Sequence, residues 1–248
     1  MNRRTKFSLA VVGILIAWAT AQAGTSSPEV SQALAEIEKA YAQVPGFQAE
    51  VTTRHQTQES DVVATRVLTV SKKFGWKIVD WVGDQRREII NDFRTNYVYL
   101  REQKKVLKLT ATSPELEQEF RKPVVELNPV FLLDRNSLRL VSTEEFEGEP
   151  VYHFSGTTTT QMMQRGKPVT VEVDAWVSRH DGIPRKTVEK IGNAKGTTIY
   201  RRVSIRPDLT AEDFHFQKPQ DVAELSIPLG EAETVAEEEK TTGNTKSN

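Results

Sequence analysis

The side chains able to do acid–base, nucleophilic or metal chemistry are scattered through this sequence. The four histidines are His55, His153, His180 and His215. No two lie three or four residues apart, the spacing that turns two imidazoles toward one metal ion. Glu144-Glu145 and Glu147 with Glu149 flank a turn, where solvated charge is the ordinary reading. A glycosidase would need two carboxylates converging in space. Ser113 and Ser142 lack a nucleophile-elbow context, and no phosphate-cradling glycine loop or dinucleotide fingerprint occurs. Cysteine is absent, which excludes thiol chemistry, cysteine-based metal sites and disulfides. The sequence reads as a protein without catalytic residues, metal or cofactor.

What remains is apolar material. Trp76, Trp81, Tyr97, Tyr99 and Trp176 stand in extended segments, while Tyr41, Phe120, Phe131, Leu132 and Leu133 stand in helical ones. Two readings stay open. These side chains fill an ordinary core, or they line an apolar cavity at a barrel mouth that accepts an acyl chain.

The elements that would position them are legible from periodicity. Ser27-Pro28-Glu29 starts a helix with a hydroxyl cap, a proline whose missing N–H costs nothing there, and a first-turn acid. Val30, Leu34, Ile37 and Tyr41 then form one apolar stripe, which Pro45-Gly46 stops. From Phe47 the period becomes two. Phe47–Arg54, Val62–Val70, Phe74–Trp81, Arg87–Ile90, Thr95–Leu100 and Val106–Leu109 predict a meander of hairpins. Ser113-Pro114-Glu115 and Asn128-Pro129 predict two short helices joined by Lys122-Pro123. Strands resume at Leu138–Ser142, Pro150–Thr157, Val169–Val177, Arg185–Ile191 and Thr197–Ile205, with Asp181-Gly182 as a turn. About eleven strands curl or split. The expected fold is mainly β with α: a single curved, incompletely closed antiparallel barrel with helices over its mouth. A two-sheet sandwich is the rival.

The chain ends differ from its middle. Arg3, Arg4 and Lys6 precede an apolar run over Phe7–Trp18, and Ala21-Gln22-Ala23 supplies small residues for a cleavage site, so residues 1–23 read as a signal peptide. Loss of those three cations takes the formal charge from −1 to −4, an acidic balance unsuited to nucleic acid. Residues 24–229 form the expected folded domain, without repeat or linker. Residues 230–248, rich in glutamate, read as an acidic disordered tail. The mature protein is expected to be exported, soluble and monomeric.

A series of segments then carries a resemblance. YAQVPGFQAEV at the first helix end, KKFGWKI, INDFRTNYVYLREQKKV, NPVFLLDRN, FEGEPVYHF, DGIPRKTV and DFHFQKP follow in an order that resembles the LolA/LolB-like outer-membrane lipoprotein carrier superfamily. The resemblance covers roughly residues 30–222. It implies an unclosed antiparallel barrel lidded by helices, binding the acyl chains of lipoproteins or other lipids without bond chemistry. An inner-membrane exporter and an outer-membrane receptor would be the partners. An envelope sensor or scaffold that binds a protein through the same fold is the alternative. By position, the resemblance assigns Trp76, Tyr97, Tyr99 and the segment Phe131, Leu132 and Leu133 to a lipid cavity and its lid, and Leu34, Ile37 and Tyr41 of the first helix are expected to line the same cavity. Asp92 matches the family's turn acid. Lys72 and Lys73 stand where the family carries an Arg-Pro latch, and Lys lacks the planar fork of Arg. Phe93 stands where the family has glycine, which implies an altered turn.

Overall fold

The computed structural model describes residues 27–82, 85–125, 127–164 and 167–229. The expected signal peptide and acidic tail lie outside the described residues.

Helix α1, Pro28–Ala42, begins where its sequence says it should: the Ser27 hydroxyl accepts from the Val30 N–H, and Pro28 opens the first turn. Its stripe of Val30, Ala33, Leu34, Ile37 and Tyr41 is buried. Six strands follow as hairpins: β1 (Gly46–Gln56), β2 (Asp61–Ser71), β3 (Gly75–Val82), β4 (Gln85–Asn91), β5 (Thr95–Leu100) and β6 (Lys105–Ala111). Helix α2, Pro114–Val125, and a 3-10 turn, Pro129–Leu132, come next. A second meander completes the antiparallel set: β7 (Arg139–Phe146), β8 (Glu149–Gln164), β9 (Lys167–Ser178), β10 (Pro184–Ile191) and β11 (Ala194–Ile205). After a 3-10 turn at Ala211–Phe214 the chain ends in β12, Ala223–Leu229.

All twelve strands form one sheet in the order β12-β6-β5-β4-β3-β2-β1-β11-β10-β9-β8-β7. The pairing of β1 with β11 welds the two meanders together. Among the described residues β12 and β7 are edges that do not meet, so the sheet is unclosed. A sheet this wide coils under its own right-handed twist.

Three features depart from expectation. There are twelve strands rather than eleven: β12 alternates Ala223, Leu225, Ile227 and Leu229 with Glu224, Ser226 and Pro228, a pattern its proline masks. It pairs in parallel with β6, and residues 206–222 form the crossover that carries the chain from β11, in the middle of the sheet, to that edge. Its Pro228 is tolerated because β12 lies at the edge. Lys122-Pro123 is no connector, since α2 runs through it to Val125. Finally, both helices pack on one face of the sheet. Val30, Ala33, Leu34 and Ile37 of α1 share a core with Tyr152, Phe154, Val171, Val173 and Ala175. Tyr41 and Val124 share a second with Phe47, Val51, Leu68 and Val70. The opposite face carries a smaller cluster in which Leu209 and Phe214 of the crossover cover Ile90.

Gly182 shows why α1 sits so close. Its φ is +68°, and a Cβ there would lie 2.3 Å from the Ile37 carbonyl oxygen. A side chain at this position would push the helix off the β9–β10 turn.

Candidate functional site

Directly opposed residues of paired strands share a face, and alternate residues return to it. The register therefore sorts β2 to β6 and β12 into cross-strand rows. One row on the helix-bearing face is apolar throughout: Leu68, Ile78, Ile89, Val98, Leu107 and Leu225. Beside it lies Val70, Trp76, Asn91, Asn96, Leu109 and Ile227. Helix α2 roofs this second row at its β3 end, where the Trp76 indole N–H donates to the Phe120 carbonyl at 3.1 Å. Farther along, the floor opens. Ile89, Val98 and Leu107 are only half-buried, and Leu225 and Ile227 are 62% and 40% exposed.

On the other side of the apolar row runs a charged one: Arg66, Asp80, Arg87, Leu100 and Lys105. Asp80 is 2% exposed and takes both arms of Arg87, from Nε at 3.1 Å and Nη2 at 2.5 Å. Arg66 faces Asp80 from β2, but its buried Nε has no hydrogen-bond partner among the described residues. Tyr200, joined to this row through Val51, has its phenol pushed up to about 12 by burial, with Glu189 adding to and Arg66 opposing the rise.

The structure distributes the residues expected at a cavity among different places. Leu34, Ile37 and Leu133 are buried in the first core. Tyr41 is buried in the second, and its hydroxyl is bonded to α2. Trp76 alone of these aromatics lies on the floor described above. Tyr97 and Tyr99 oppose Ile90 and Glu88, not Ile89, so they point from the other face. There they pack on Phe216 of the crossover, with ring centroids 5.0 and 5.7 Å away. The segment Phe131–Leu133 is docked rather than hanging free. The Thr158 hydroxyl donates to the Leu132 carbonyl, the Asp134 N–H donates to the Thr157 carbonyl, and Leu133 is 4% exposed. Phe131 packs half-buried against the same core, and Leu132 is half-buried.

Lys72 fastens α1. Its ammonium donates to the Tyr41 carbonyl near the helix C-terminus and lies 3.9 Å from the Tyr41 ring centroid. Burial pulls its pKa down. Lys73 instead lies over Phe74 on the opposite side of the turn. Phe93 does not abolish the glycine-type turn but adopts it, at φ 70°, with its N–H donating to Asn91 Oδ1 at 2.8 Å.

Sequence reasoning missed Ile78, Ile89, Val98, Leu107 and Leu225, together with Arg66, Asp80 and Arg87. The alternation of Val98 and Leu100 with Tyr97 and Tyr99 is visible in the sequence, but aromatic size draws attention to Tyr97 and Tyr99, which stand on the face opposite this row. Among the described residues no cluster of His, Asp and Glu is placed to hold a metal ion. No described helix is long and apolar enough to cross a membrane. A polar recess of about 190 Å³ lies beside Arg185 and Glu149, well below the 300 Å³ or so of a small-molecule pocket.

The architecture is that of a half-barrel whose helices cover only part of one apolar face. Solved structures similar to this chain include an uncharacterized conserved protein from Thermus thermophilus, 14% identical, covering 80% of this chain and 99% of that one at a TM-score of 0.51. A LolA superfamily protein from Nitrosomonas europaea is 13% identical over 74% of this chain and 97% of its own, at 0.40. Lipoprotein LppX from Mycobacterium tuberculosis is 13% identical over 75% of this chain and 100% of its own, at 0.47. At these identities the likeness is one of fold. No protein-family model matches the sequence, and no curated protein matches it significantly.

Proposed function

We propose that this is an exported periplasmic carrier that holds the acyl chains of a lipid or lipoprotein on the open part of its helix-bearing face. It would act as a monomer, receive cargo at the inner membrane and pass it toward the outer membrane. The observation that supports this reading is the apolar row from Leu68 to Leu225, half-buried in its middle and exposed at its β12 end. An acyl chain laid along it would gain about 0.8 kcal/mol for each methylene removed from water. Asp80, the acid of the neighbouring charged row, is held by Arg87.

Titration with a fluorescent fatty-acyl probe tests the reading, together with mass spectrometry of lipid copurifying with the exported protein. Saturable binding is expected. Val98→Asp should weaken it about tenfold or more while the far-UV spectrum still reports a β fold, because a charge in the floor resists desolvation. Wild-type protein with no saturable binding and no copurifying lipid would remove the carrier reading.

A further inference from the structure

The charged row is the feature that a plain acyl-binding face does not need. It lies one step from the apolar row on the same three strands: Arg66 beside Leu68, Asp80 beside Ile78 and Arg87 beside Ile89. Two residues along a strand span about 7 Å, so a ligand whose chain lies on the apolar row reaches the charged one with its head.

We infer that the cargo is an anionic amphiphile, a lipid whose carboxylate or phosphate head group is taken by Arg66 while its chain lies along Ile78, Ile89 and Val98. This rests on the acyl-binding reading and narrows it.

The argument is one of unmet valence. Asp80 is nearly fully buried and already receives both arms of Arg87. Arg66 opposes the same carboxylate but makes no ion pair among the described residues, and its Nε is buried without a partner. Leaving a guanidinium donor desolvated and unpaired is costly, and a carboxylate or phosphate is the partner whose geometry fits its planar fork. The surrounding charge favours an anion, because Arg66, Arg87 and Lys105 outnumber the single acid of the row. Glu189 is the other acid near Tyr200. Its side chain is exposed, so solvent screens its charge from the row.

The test compares a dansyl-labelled fatty acid, ionised at pH 8, with its methyl ester on the exported protein. Wild type should bind the acid about tenfold more tightly, the worth of one charge-assisted hydrogen bond. Arg66→Gln should erase that preference while ester affinity stays within about twofold. High salt should weaken the acid more than the ester on wild type, a readout that requires no variant. Equal affinity of wild type for acid and ester overturns the head-group inference and leaves the acyl reading standing. Binding of neither probe overturns both. Preference retained in folded Arg66→Gln overturns the assignment to Arg66.

Discussion

The Tyr41 hydroxyl donates to the Val124 carbonyl across 2.7 Å, joining the last turn of α1 to the last turn of α2. Carbonyls in a helix's final turn have no intrahelical donor, and Val124 is 3% exposed, so this bond satisfies an otherwise orphaned acceptor. Burial pushes the phenol well above its ordinary range and keeps it protonated as the donor. Lys72 holds the same residue from the other side through its carbonyl and ring. One tyrosine thus fixes both helices to the sheet.

Tyr41→Phe keeps the ring and removes the bond, leaving the Val124 carbonyl buried and unpaired. Stability should fall by about 1–2 kcal/mol. In urea the midpoint should move down at unchanged slope. An unchanged midpoint would mean that the two helices dock independently of this contact.

A second prediction separates neighbours that the sequence groups as one lid. Leu133 is 4% exposed in the core beneath α1, whereas Leu132 is half-buried and anchored through its backbone carbonyl. Leu133→Asp should cost about 4 kcal/mol or more, since it removes core packing and buries an unpaired charge. Leu132→Asp should cost about 1 kcal/mol. Thermal unfolding of the two single variants decides it. Equal, small losses would show that the segment is a flap after all.

Much of the fold is legible in the sequence because local rules and tertiary packing agree. The Ser27 cap, the α1 stripe and the period-two runs each have one sensible outcome. The site is less legible for a physical reason. On one face α2 roofs β3 and leaves the apolar residues of β4 and β5 half-buried, and on the other Leu209, Phe214 and Phe216 cover Ile90, Tyr97 and Tyr99. Both parities are then apolar, and alternation cannot say which is inner. That choice is made by long-range docking of the crossover. Strand β12 is hidden similarly: AELSIPL carries a glutamate and a proline, and it becomes a strand by pairing with β6 at the edge. Phe93 shows tertiary packing overriding a local preference. Its left-handed backbone costs about 1 kcal/mol, yet the ring is 3% exposed and lies 4.3 Å beneath the Arg121 guanidinium, and burying a Phe side chain contributes more than that.

The last prediction concerns acid. Arg185, 7% exposed, donates to both Glu149 oxygens, at 2.5 and 2.7 Å, and to Asp181 at 2.6 Å, tying β8 to the β9–β10 turn against which α1 rests. Burial alone would raise the Glu149 carboxyl, but hydrogen bonds from Arg185 and Ser178 outweigh it and hold the carboxyl below its ordinary 4.5. A folded-state value below the unfolded one means that the pair stabilises the protein above about pH 4.5, and that this contribution is lost as pH falls through the folded value. Wild-type stability should therefore drop as Glu149 protonates. Glu149→Gln removes the titrating group and leaves the buried Arg185 with Asp181 as its remaining carboxylate. That variant should be less stable than wild type at pH 7, and its stability should fall less steeply between about pH 5 and 3, where the wild-type carboxyl titrates. Urea midpoints measured across that range for both proteins read the difference, with the carboxylates that do not share Arg185 cancelling between them. Parallel curves would assign the acid sensitivity to other carboxylates, and a variant as stable as wild type at pH 7 would show that the Arg185 pair only offsets its own desolvation.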